Sequence, residues 1–200
     1  MRALLFSGGV ESTCLAVWLK PELLVTVDYG QAPAKGELAA AIHLASLLKT
    51  EHKFVQAPMA HLGSGDLTGK PSISQRESVP EHWPFRNQML ITLAAMALAD
   101  QSLTELIIGT VRTDNVHNDG TEDFLEAMNK VLIAQNPKLR LTAPAAKMST
   151  KELVIASDIN RDLLGWTFSC HLSSVACGQC RGCKKTIKLF TELETIGLRR

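Results

Sequence analysis

Leu4-Leu5-Phe6-Ser7-Gly8-Gly9-Val10-Glu11-Ser12-Thr13 is the stretch that decides the fold. Its apolar opening is too brief for a helix and stops at two adjacent glycines, so it reads as a buried strand that turns sharply into the next element. Glycines at such a junction let backbone N–H groups converge on an anion, and Ser7, Ser12 and Thr13 add hydroxyl donors. A helix entered from this turn presents its positive end to the same point. The pattern is neither the dinucleotide fingerprint G-x-G-x-x-G nor the lysine-bearing Walker loop. From these residues alone two meanings stand side by side: a phosphate cradle, or a tight turn that uses glycine only for its backbone angles.

Outward from the loop, helical and strand periods alternate. A helix is expected over residues 11–19, followed by a strand at Leu23-Leu24-Val25-Thr26-Val27, too short and too rich in β-branched residues for a helix. Residues 37–48 form a second helix, with Leu38, Ala41, Ile42, Ala45 and Leu48 as its core-facing stripe. Residues 52–55 make a third strand. Residues 58–84, rich in Gly, Ser and Pro, are long for a connection inside a compact domain, and such loops cover a site or stay mobile. Then come a helix at 85–100, a strand at 106–109, and a helix at 122–135 that turns Phe124, Leu125, Met128 and Leu132 inward. A fifth strand is expected at 139–142. Ser149-Thr150-Lys151-Glu152 is a capping box opening the next helix, and residues 184–195 form a terminal one. Strands alternating with helices predict an α/β fold, a doubly wound parallel five-stranded sheet whose ligand sits at the carboxyl ends of the strands.

Residues 170–183 hold four of the five cysteines in the order C-x6-C-x2-C-x2-C: Cys170, Cys177, Cys180 and Cys183. With Gly178 and Gly182 letting the backbone fold back, four thiolates at these gaps suit a tetrahedral Zn²⁺ site that replaces hydrophobic burial in a turn-rich segment. An iron–sulfur cluster and a pair of disulfides are the competing readings of the same spacing. The expected division is a main nucleotide-binding domain at 1–165 and a zinc segment with its terminal helix at 166–200.

With 200 residues, a net charge of +1, 46% hydrophobic and 20% charged residues, the chain has the composition of an ordinary globule. That balance excludes a general electrostatic binder of nucleic acid or membrane. No run reaches the roughly 18 apolar residues of a membrane span, and the N-terminal apolar run breaks too early for a signal sequence. A cytoplasmic protein without membrane contact is expected, in keeping with reduced thiols on a metal.

Ser-Gly-Gly-x-Glu-Ser at 7–12 resembles the Ser-Gly-Gly-x-Asp-Ser loop of the PP-loop ATP pyrophosphatases, which cleave ATP between the α- and β-phosphates to adenylate a substrate. Further pieces narrow the resemblance. Asp28-Tyr29-Gly30-Gln31, Pro84-Phe85-Arg86-Asn87, Ile108-Gly109 with Thr113-Asp114, Phe124 with Asn129, Pro144 with Lys151, and the four cysteines are similar, in order and over nearly the whole chain, to the 7-cyano-7-deazaguanine synthase family. That resemblance implies an ATP-dependent carbon–nitrogen ligase of queuosine biosynthesis. Such an enzyme adenylates the carboxylate of 7-carboxy-7-deazaguanine, accepts ammonia to form an amide, and dehydrates the amide to the nitrile with further ATP. It also implies Mg²⁺ with the ATP, a structural Zn²⁺, and a homodimer.

Carried over by position, Ser7, Gly8, Gly9, Glu11, Ser12 and Thr13 would hold the nucleotide's phosphates and metal. Arg86, Lys151 and Asp119 would be catalytic, the first two by neutralising phosphate charge. A cation at a helix start is disfavoured by the dipole unless an anion is present, which singles out Arg86. Asp114, His117, Asp119 and Arg112 would meet the deazapurine substrate. Several positions depart from the family: Glu11 replaces Asp, Ala32-Pro33 replaces Arg-His, residues 115–120 replace a Ser-Gly-Tyr-Pro-Asp-Cys loop and run one residue shorter, His171 replaces Tyr, and Arg112 replaces an acidic residue. These departures keep two rivals open: transfer of a deazaguanine acyl group to an amine on a protein acceptor or nucleic acid, and a non-catalytic nucleotide-binding subunit. His43, His52, His61 and His82 read as ordinary histidines, Cys14 as core, Trp18 and Trp166 as packing residues, and Lys184 with Lys185 as an exposed basic helix start.

Overall fold

Five parallel strands carry the chain: β1 (Arg2–Leu5), β2 (Leu23–Asp28), β3 (Glu51–Gln56), β4 (Glu105–Ile107) and β5 (Arg140–Thr142). The computed structural model describes residues 1–70, 83–113 and 118–195. The sheet order is β3-β2-β1-β4-β5, so winding runs outward from β1 to β3, then crosses back to β4 on the other side of β1. A crevice opens between the carboxyl ends of the two strands where the winding reverses, the usual ligand position in such sheets.

Seven helices cover the two faces among the described residues: α1 (Val10–Leu19), α2 (Ala34–Leu48), α3 (Arg86–Ala97), α4 (Glu122–Gln135), α5 (Thr150–Ser157), α6 (Arg161–Gly165) and α7 (Arg181–Thr195). Alternation along β1 sorts them. Ala3 points into the cluster that holds α3 and α4, while Leu4 points into the opposite cluster with α1, α2, α5, α6 and α7. Because both faces are covered, the central strands are apolar along most of their length, and Leu4, Leu24, Leu106 and Ile107 are fully buried. Replacing any of these by alanine costs about 2–5 kcal/mol.

The capping box opens α5 as expected: Ser149 Oγ accepts from Glu152 N, and Glu152 Oε2 accepts from Ser149 N. Thr121 caps α4, whose inward set is Leu125, Met128 and Leu132, with Phe124 partly buried beside them. The stripe expected on α2 needs correcting. The helix starts earlier, at Ala34, and buries Gly36, Ala41, Leu44 and Ala45, leaving Ile42 54% exposed. Gly36 explains the rotation: a Cβ there would come within 2.6 Å of the Phe168 ring, so the helix face at Gly36 is pressed against the segment before the cysteines. Trp18 and Trp166 are likewise more exposed than packing residues should be, Trp166 lying 55% open with its ring 4.2 Å from that of His43. The short helix α6 has no counterpart in the sequence reading. Asn160 caps it by accepting from Leu163 N. The terminal helix does not build a core of its own, since Leu189 and Leu193 join the cluster that contains Leu4 and Phe6.

Candidate active site

The crevice between β1 and β4 holds a cavity of about 860 Å³. Its floor is the carboxyl end of the sheet, from Leu5 to Ser7 and from Ile108 to Thr110, and its walls come from α3 and α7. A second chamber of about 250 Å³ shares Ser7, Glu11, Glu37, Arg86, His171 and Lys185 with the first, so the two form one site. Thr110, only 5% exposed, lines the large chamber with its Oγ1 unsatisfied among the described residues. A buried hydroxyl without a partner is costly unless a ligand supplies one.

The glycine turn between β1 and α1 is tightly wound. Gly8 has φ of 72°, and a Cβ on it would come within 2.8 Å of Ala41 N, so only glycine fits. Gly9 precedes α1 with no side chain capping the helix, which leaves first-turn N–H groups for a ligand. Ser7 and Ser12 face the cavity, their hydroxyls 3.4 Å apart. Thr13 does not: fully buried, it donates its hydroxyl to Gly9 O at 2.7 Å. Gly8 too lines neither chamber; its carbonyl accepts from Phe168 N.

Glu11 is the best-held carboxylate of the site. Oε1 accepts from Thr150 Oγ1 at 2.7 Å and lies 2.6 Å from Lys185 Nζ. Burial works to raise its pKa, but the Lys185 ammonium and the Thr150 hydroxyl more than offset this, holding it below the usual carboxylate range. One ionised carboxylate beside a phosphate cradle is the share a protein commonly contributes to Mg²⁺, with phosphates and waters completing the octahedron. Glu11 fits that part.

Arg86 opens α3, just after Phe85, whose φ of 62° is unusual for a bulky side chain. Both chambers are lined by Arg86. It sits beside Tyr29 and Glu37, two groups that sequence reasoning left out of the site. Burial pushes the Tyr29 hydroxyl up, against the pull of Arg86. Glu37 is pushed up to about 7 by burial, opposed by its hydrogen bond from Gln31 Nε2 at 2.7 Å and by Arg86. A carboxyl near neutrality inside a cavity is a recurrent sign of function.

The four cysteine sulfurs all lie within 4.8 Å of one another, with Cys177–Cys183 at 3.9 Å and Cys170–Cys180 at 4.0 Å. A tetrahedron with bonds of about 2.3 Å places sulfurs about 3.8 Å apart, so the set fits a single ion. It does not fit disulfides, whose sulfurs are bonded at about 2.05 Å. Nor does it leave room for several irons between the thiolates. Burial raises Cys170, yet backbone N–H donors from Leu172, Cys177 and Ser173 bring it down to about 6, whereas burial and the neighbouring sulfurs push Cys183 up to about 12.

The remaining expected residues are placed elsewhere. Lys151 stands half-buried at the start of α5 and lines neither chamber. Arg112 is exposed, its Nη2 3.5 Å from Glu152 Oε2. Asp119, expected at the base edge, is engaged otherwise. Its Oδ2 accepts from Asn87 N at 3.0 Å, and its carbonyl accepts from Asn87 Nδ2. It therefore fastens the first turn of α3, the turn that carries Arg86. Asp114 and His117 lie outside the described residues, as does His82. Lys185, set aside in the sequence as part of a solvated helix start, is in the site. Its only sequence signal is its place on a helical stripe with Arg181, Lys184 and Lys188, which periodicity reveals and which has meaning only once the helix is placed.

Comparison with known families bears directly on this arrangement. Residues 2–194 match the family described as queuosine biosynthesis protein QueC. The chain is 30% identical to 7-cyano-7-deazaguanine synthase 1 of Desulfitobacterium hafniense (strain Y51), with 98% of this chain and 94% of that one covered. It is 28% identical to the 7-cyano-7-deazaguanine synthase of Methanococcus aeolicus, covering 93% and 92%, and 27% identical to that of Helicobacter acinonychis, covering 94% and 95%.

Proposed function

Because this chain belongs to the QueC family of queuosine biosynthesis proteins, we propose that it is an ATP-dependent 7-cyano-7-deazaguanine synthase. A carboxylate oxygen of 7-carboxy-7-deazaguanine attacks the α-phosphorus of ATP, pyrophosphate leaves, and ammonia then displaces AMP to give the amide. A second activation with ATP removes the amide oxygen and leaves the nitrile. The observation that carries this reading is the uncapped glycine turn at the open end of the sheet, facing Arg86 across one cavity.

In this reading the first-turn N–H groups after Gly9, with the Ser7 and Ser12 hydroxyls, bind the phosphates whose charge grows as pyrophosphate departs. Arg86 balances that charge from the opposite wall, and Asp119 keeps it there by holding the first turn of α3. Glu11 would hold Mg²⁺, which supplies further neutralisation when bound. Thr110 offers its unsatisfied hydroxyl to the bound ligand. Lys151 follows Thr150, which touches Glu11, but lies outside both chambers, so no phosphate contact is assigned to it. The cysteine site takes Zn²⁺ in a structural role. The resemblance extends this to a homodimer in the cytoplasm, and no helix among the described residues is long and apolar enough to cross a membrane.

Incubation of the purified protein with Mg-ATP, 7-carboxy-7-deazaguanine and ammonium should release AMP and pyrophosphate and yield the nitrile. Arg86→Ala should lower the rate by about 10²-fold or more, on the order of one lost charge-stabilising donor. ATP consumption without any amide or nitrile would sink the proposal.

A further inference from the structure

One wall of the large chamber is made by α7, and its make-up is lopsided. Arg181, Lys184, Lys185 and Lys188 fall at three- and four-residue steps, so one helix stripe turns four cations toward the large chamber. With Arg86 the lining holds five basic side chains against three carboxylates, Glu11, Glu37 and Asp66, while the chain as a whole carries a net charge of only +1. Positive charge is thus concentrated here. The distance is fixed as well: Lys185 Nζ lies 2.6 Å from Glu11 Oε1, which brings the stripe against the first turn of α1, beside the glycine turn.

Like charges on adjacent turns repel, and Glu11 at Lys185 and Glu192, 3.8 Å from Lys188 Nζ, offset this only in part. Its placement is nevertheless well determined. Gly182 lets α7 start close to the cysteine loop, where a Cβ would meet Ser169 O at 1.9 Å, and Leu189 and Leu193 fasten the opposite face in the core. Cys180 and Cys183 lie at the beginning of the same helix, so an ion on the cysteines fixes the turn from which the stripe departs.

We propose that the stripe of α7, with Lys184 and Lys188 on either side of the Glu11-bound Lys185, is a second phosphate wall that takes the terminal phosphates of a nucleoside triphosphate. The metal-bearing segment would then serve nucleotide binding and not only its own folding. This inference rests on the adenylating reading, because it presumes a triphosphate in the cavity.

The test compares ATP with AMP by titration calorimetry at fixed Mg²⁺ and ionic strength. Lys184→Gln combined with Lys188→Gln should weaken ATP binding about tenfold or more, as expected for lost charge-assisted contacts, and change AMP binding less than about twofold. Lys130→Gln with Lys138→Gln, the same charge change outside the lining, should leave ATP binding intact and so exclude a bulk-charge effect. Both replaced lysines of the stripe are exposed, so folding should survive, and circular dichroism with a melting curve checks it. Unchanged ATP binding in the double variant, or equal losses for ATP and AMP, overturns the second wall while the functional reading stands. A wild-type protein that binds no ATP overturns both.

Discussion

Glu37 shows how one residue's surroundings decide its chemistry. On a helix in water its carboxyl would titrate near 4.5; enclosed by the cavity it is pushed up to about 7. Between those values the folded protein keeps its proton and the unfolded chain has lost it, so this group's contribution to stability falls as pH rises from about 4.5 through 7. Glu37→Gln should abolish that fall, which amounts to about 3 kcal/mol, since moving a titration by one pH step is worth about 1.36 kcal/mol. Denaturant unfolding of both proteins at about pH 5 and about pH 8 measures it, and an equal slope in the two would refute the assignment. Glu11 behaves in the opposite sense because Lys185 holds it ionised. A double-mutant cycle of Glu11→Gln and Lys185→Ala should return a coupling of about 1–3 kcal/mol, since each single change leaves a half-buried charge without its partner.

At the scale of elements, α3 illustrates a helix start completed by a distant residue. Phe85 enters it with φ of 62° and no capping side chain, and the missing acceptor comes from far along the chain, at Asp119. Asp119→Ala should therefore destabilise the protein by about 1 kcal/mol, the usual cost of a lost cap, while Asp119→Asn keeps an acceptor and most of the stability. Chemical denaturation of the two variants separates a capping role from a purely catalytic one, in which both would fold like the parent. The periodicity of α4 and the capping box of α5 were readable because all their determinants lie within one or two turns. The face of α2 was not, because Gly36 meets Phe168, and nothing local to residues 34–48 announces that meeting.

For the whole molecule the cysteine segment is the joint. Bound metal needs thiolates, so loading releases protons and weakens toward acid. A strong chelator should strip the ion more readily at about pH 6 than at about pH 8 and lower Tm, by roughly 2–4 °C for each kcal/mol lost in a chain of this size. A Tm indifferent to chelator at both pH values would show that the segment does not need the ion. The sequence by itself determined the parallel sheet, the glycine turn and the four-cysteine site, because alternating periods, adjacent glycines and short ligand spacings are all written within a few residues. Tertiary structure alone decided that Lys185 reaches Glu11 from the other end of the chain, that Glu37 is closed into the cavity, and that Asp119 ties down α3. Contacts between residues so distant leave no local pattern in either partner, and they come into being only when the sheet's reversal between β1 and β4 draws both ends of the chain to the same crevice.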